Sequence, residues 1–124
     1  MKIQQGKLEE TLLLTIDGRV DSFTFDVFKQ RLGAILKENP GSICLNIDSV
    51  DFLSLPTIKY IDGLAVKIKE DGGEMVIVGG NDKTRRHLEI YGDTDNFRLV
   101  REEEEVHGET KARPVSQPRF DEAL

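Results

Sequence analysis

Three short apolar runs recur along the chain: Leu12-Leu13-Leu14-Thr15-Ile16, Ile43-Cys44-Leu45-Asn46-Ile47 and Met75-Val76-Ile77-Val78. The stretches between them carry helical periodicity instead of strand alternation. Each run has the length of a buried strand, and each intervening stretch can form a helix that leads into the next strand. This alternation predicts an α/β domain with helices packed on its sheet.

Punctuation residues divide the chain further. Asp17-Gly18 reads as a turn closing the first run, and a weaker strand is expected before it, around residues 2–8. Phe25, Phe28, Leu32, Ile35 and Leu36 then fall three and four apart, on one face of a helix that Asn39-Pro40-Gly41 stops. After the second run, Asp48-Ser49-Val50-Asp51 reads as a turn. Pro56 suits a first helical turn, and Ile61, Leu64, Ala65 and Ile68 continue a second helical stripe as far as Asp71-Gly72-Gly73. Gly79-Gly80 marks another turn. Asn81 is placed to cap a short helix with Thr84, Leu88 and Tyr91 on one face, Gly92 sits at its C-cap, and Phe97-Arg98-Leu99-Val100 forms a last strand.

At 124 residues the chain suits one domain, and its net charge of −6 matches poorly to nucleic acid or an anionic membrane. No basic start followed by an apolar stretch marks a secretory signal, and no apolar run approaches a membrane span. Cys44, the single cysteine, cannot form an internal disulfide, so a reducing, cytoplasmic setting is expected. Its two histidines, His87 and His107, lack a second ligand at metal spacing, and neither a metal nor a cofactor is expected. Residues 1–100 carry 13 basic and 16 acidic side chains, while the last 24 residues carry 4 and 7. Four consecutive glutamates, Glu102 to Glu105, open a stretch that contains Pro114 and Pro118 and little apolar pattern. Composition therefore divides the chain into a folded domain, 1–101, and an acidic, largely disordered tail, 102–124.

Within this order, a set of segments resembles the STAS domain, best known from bacterial anti-sigma factor antagonists and from the cytoplasmic part of sulfate transporters. The segments are Gly18-Arg19-Val20-Asp21, Leu45-Asn46-Ile47-Asp48, Val50-Asp51-Phe52-Leu53, Gly72-Gly73-Glu74-Met75-Val76 and a basic helix ending in Tyr91-Gly92. Their order and spacing carry the resemblance, which covers residues 8–101. It implies a STAS-like fold: a mixed β-sheet of four to five strands with about three helices packed on it.

The family's segment after the phenylalanine reads Asp-Ser-Ser-Gly-Leu or a close variant, and a partner kinase phosphorylates its first serine. Here the matching positions hold Ser54, Leu55, Pro56, Thr57 and Ile58. Leucine stands at the acceptor position and has no hydroxyl, so the family's switch cannot operate there. Asp21 matches an aspartate near the same surface, which makes Asp21, residues 54–58 and the helix that follows, at residues 61–62, the expected partner-binding site.

The residues themselves leave choices open. The amides at the helix start favour an anionic group, and phosphorylation of Ser54 or Thr57 would add about −1.5 to −2 charges. Ser54 is either a helix cap or an acceptor, and Thr57 either a solvent-facing first-turn residue or an acceptor. Leu55 is either an apolar contact in an interface or core. Asp21 either docks a partner or serves as a turn or helix-start charge. Lys83, Arg85 and Arg86 read as a solvated face.

The function implied is a non-catalytic regulatory module that binds an anti-sigma factor or similar serine-kinase-like protein, constitutively or under control at Ser54 or Thr57. The alternative is a scaffold subunit of a signalling assembly or an accessory subunit of a transport system; a homo-oligomer is open under the first reading as well, and large particles are expected under the scaffold one. Catalysis finds no support: there is no nucleophile elbow, phosphate-binding glycine loop or His-base-acid set, and Asp48 and Asp51 flank the expected turn. The acidic tail either competes for a basic partner surface or only aids solubility.

Overall fold

The computed structural model describes residues 1–38 and 41–107. Five strands form one sheet in sequence order: β1 (Lys2–Leu8), β2 (Thr11–Val20), β3 (Ile43–Leu53), β4 (Met75–Val78) and β5 (Phe97–Val100). β1 is antiparallel to β2, and the remaining neighbours are parallel. Helices α1 (Phe25–Glu38), α2 (Leu55–Glu70) and α3 (Asp82–Tyr91) make the three crossovers between the parallel strands.

Alternation within the strands assigns the two faces of the sheet. Leu12, Leu14 and Ile16 of β2, Ile43, Leu45 and Ile47 of β3, and Met75 and Ile77 of β4 join Phe28 and Leu32 of α1, Ile58 and Ile61 of α2, and Leu88 of α3 in one core. All three helices thus cover a single face, as consecutive crossovers of one hand require. The other face buries Cys44, Val76, Val78 and Val100 beneath Val106.

That second cover corrects the expected boundary at Arg101. Glu103–Glu105 form a short 3-10 turn, and Val106 behind it is only 1% exposed. The Glu105 carboxylate accepts from the amides of Arg101 and Glu102 at 2.9 and 2.8 Å, while Asn46 donates to Glu103 at 2.7 Å. Arg98 donates to the Val106 carbonyl and pairs with Glu74 at 2.7 Å. The His107 ring meets the Thr11 hydroxyl at 2.9 Å. The acidic run is thus a strap across the sheet, and the domain reaches at least His107. The expected tail over 108–124 and the helix stop at Asn39-Pro40 lie outside the described residues.

Two expected turns are strand instead. Asp17-Gly18 continues β2 and residues 48–51 continue β3, with register shifts between Thr15 and Asp17 and between Gly18 and Arg19. Across each shift β3 advances one residue more than β2, so polar residues that suggested turns occupy bulges in a continuing ladder. Tyr91 also departs from expectation: Thr84 and Leu88 are buried, but Tyr91 is exposed.

The caps agree with the sequence. Asn81 accepts from the Thr84 amide at 2.8 Å, Ser54 caps α2 with Pro56 in its first turn, and the Gly92 amide donates to Leu88. Gly79 follows β4 at a φ of +81°, and a Cβ there would lie 2.0 Å from an Asp48 carboxylate oxygen. Asp48 accepts from the Gly80 amide at 3.2 Å, so this carboxylate ties β3 to the β4–α3 turn.

Candidate partner-binding site

The bulged strands β2 and β3 finish together, with Val20 paired to Leu53. The Ser54 amide donates to the Val20 carbonyl at 2.9 Å, which fixes the loop after β2 against the start of α2. Asp21 and Ser54 therefore belong to one end of the sheet, as the family resemblance implied.

On the β2 side, Asp21 organises a tight helix start. Its carboxylate accepts from the Phe23 amide at 2.9 Å and the Thr24 amide at 3.3 Å. The Thr24 hydroxyl accepts from the Asp21 amide at 3.0 Å and donates to the Arg19 carbonyl at 2.8 Å. Arg19 approaches Asp21 at 3.4 Å and lies over the Phe52 ring, 4.9 Å from its centroid. The Phe23 amide, then the Arg19 guanidinium, hold the Asp21 carboxyl below the ordinary carboxylate range. Both readings of Asp21 meet in one geometry: it is a turn residue on the candidate face.

This turn presents Phe23, 90% exposed, with Val27 exposed one helical turn on. Sequence reasoning missed Phe23. It lies off the helical stripe, and an isolated loop phenylalanine looks the same in sequence whether it is buried or displayed.

On the β3 side, the segment 54–58 divides by burial. Leu55, 49% exposed, and Pro56 face solvent, which resolves Leu55 as surface. Thr57 and Ile58 are buried. Their assignment to a contact surface is thereby corrected, because in a helix these positions turn toward the sheet. The Thr57 hydroxyl shares a 2.7 Å hydrogen bond with that of Ser54 and reaches the Val20 carbonyl at 3.4 Å. Of the two readings of Thr57, the solvent-facing one is corrected: its side chain, hydroxyl included, is buried. Ser54, partly exposed, accepts from the Thr57 amide at 3.4 Å and acts as the cap.

Other charged candidates hold structure together. Arg85 donates to the carbonyls of Gly79 and Val100 at 2.7 and 2.9 Å, leaving Lys83 and Arg86 as the solvated part of that basic group. Among the described residues no cluster of His, Cys, Asp or Glu could hold a metal ion, and no helix is long and apolar enough to cross a membrane.

A mixed sheet of five strands with three helices packed on it is the arrangement that the resemblance implied, and the STAS domain model matches residues 2–106. The chain belongs to the STAS domain family. It is 26% identical over 87 residues to the anti-sigma-F factor antagonist RsfB of Mycobacterium tuberculosis, covering 70% of each chain. An anti-sigma factor antagonist from Mycobacterium paratuberculosis superposes with a TM-score of 0.74 at 19% identity, over 84% of this chain and 88% of the other. Unphosphorylated SpoIIAA, also an anti-sigma factor antagonist, superposes at 0.72 and 12% identity, over 92% and 100%. The STAS match ends at Val106, the residue that closes the strap.

Proposed function

We propose that this domain is a non-catalytic anti-sigma factor antagonist that docks a serine-kinase-like anti-sigma factor through the face formed by Asp21, Phe23, Ser54, Leu55 and Pro56. The same reading makes the docking constitutive, because the family's acceptor position holds Leu55. The observation that carries it is Leu55 itself, displayed at the first position of α2 beside the hydrogen-bonded Asp21 turn, which displays Phe23. Exposed apolar side chains on ordered backbone supply contact area at little conformational cost, which is how interface anchors work. The relatives' names support the class of partner, and phosphorylated as well as unphosphorylated SpoIIAA has been solved.

Neither nearby hydroxyl replaces the missing one. Thr57 is buried, and the Ser54 hydroxyl is engaged as the cap of α2 and bonded to that of Thr57 at 2.7 Å. Titration of an anti-sigma factor of this kind with the wild-type chain and with Leu55→Asp provides the test. A loss of at least about tenfold in affinity is expected, since a charge replaces an apolar anchor. Unchanged affinity at native stability would remove residues 54–56 from the interface.

A further inference from the structure

Arg19 stands at the same end of the sheet, outside the residues assigned to the docking face. The register shift between Gly18 and Arg19 decides its neighbour. Gly18 pairs with Val50, so an unbroken register would set Arg19 opposite Asp51; the shift sets it opposite Phe52 instead. An aromatic ring thus replaces a carboxylate across the strands. The guanidinium lies over that ring, 4.9 Å from its centroid.

Asp21 holds the guanidinium from one edge. Its Oδ2 accepts from Arg19 Nε at 3.4 Å while its Oδ1 accepts from the Phe23 amide at 2.9 Å, so one carboxylate ties the arginine to the turn that displays Phe23. Among the described residues neither terminal nitrogen of Arg19 has a partner, and the side chain is 57% exposed. Arg98 spends its guanidinium differently: Nε donates to Glu74, and both terminal nitrogens donate to carbonyls of the strap. A guanidinium stacked on a ring and tied along one edge has already given up much of its rotamer freedom, so an incoming acid meets a prepared fork of N–H donors. Two parallel N–H···O bonds match a carboxylate. With Phe23 exposed on the same turn, that carboxylate belongs to a protein surface, beside the apolar patch that receives the ring. We infer, on the docking reading above, that Arg19 is the anion receptor of this face and takes an aspartate or glutamate side chain of the anti-sigma factor.

Titrating a serine-kinase-type anti-sigma factor with the full chain, as wild type, Arg19→Gln and Arg19→Lys, at about 50 and about 300 mM salt tests this. Wild-type affinity is expected to fall as salt rises. Arg19→Gln should bind at least about tenfold more weakly in low salt, with a shallower salt dependence, because one ion pair is gone. Arg19→Lys keeps the charge without the fork and should recover only part of that loss. A weaker binder that retains the wild-type salt dependence overturns the inference, since Arg19 would then act only through the Asp21 turn. Binding of Arg19→Gln at wild-type strength also overturns it, and if Leu55→Asp fails to bind in the same experiment the docking reading stands. A wild-type chain that binds no such factor overturns both.

Discussion

The segment Ser54-Leu55-Pro56-Thr57-Ile58 contains two hydroxyls that look equivalent in sequence and differ completely in the fold. Ser54 is a partly exposed cap, whereas Thr57 is a buried tie to the Val20 carbonyl. Capping was legible because a cap depends on local spacing, at Ser54 as at Asn81. Burial of Thr57 was not legible, because it depends on where β2 ends, and the β2 boundary was hidden in bulges. Phe23 escaped for a related reason: display of an apolar residue is decided by what fails to pack on it. Asp21 carries a prediction at this scale. Its carboxyl titrates below the ordinary range in the fold, so its contribution to stability is present above the unfolded-state pKa of ~3.9 and disappears as pH falls through the folded value. Urea denaturation across this range should find Asp21→Asn less stable than wild type near neutral pH, with the difference shrinking in acid.

At the scale of elements, the short central strands carried a signal that composition overrode. β4 is apolar at all four positions and β3 is buried throughout residues 43–47, which marks strands covered on both faces. Three helices account for one face only. A cover for the other was therefore implied, but four glutamates in a row read as a solvated tail, and only Val106 behind them offered an apolar contact. Within the strap, the Glu105 carboxylate accepts from the Arg101 and Glu102 amides and that of Glu103 from Asn46, while Val106 does the burying. Beneath it, burial, reinforced by Glu103, pushes the Cys44 thiol up to about 12. Truncation after Arg101 removes the strap and should cost about 2 kcal/mol for the exposed valine contacts alone. In the intact chain Cys44 should resist a thiol reagent near neutral pH. In the truncated chain it should react measurably faster while the fold persists. Equal reactivity in both chains would mean that the strap does not seal this face.

For the whole molecule, the order of strands and helices was legible because periodicity changes sharply between elements, and the family resemblance followed from the order of its segments. The proposed docking face, by contrast, depends on surface shape: a hydrogen-bonded Asp21 turn, an exposed Phe23 and an exposed Leu55 at the sheet end where Val20 pairs with Leu53. Binding without a phosphorylation switch is the central proposal, and it can be read in one reaction. The purified chain, wild type or Leu55→Ser, is mixed with a serine-kinase anti-sigma factor and ATP, and intact mass and complex retention are followed together. The wild-type chain is expected to gain no phosphoryl group and to remain bound, whereas Leu55→Ser acquires one and dissociates. Phosphorylation and release of the wild-type chain under these conditions would contradict a constitutive antagonist.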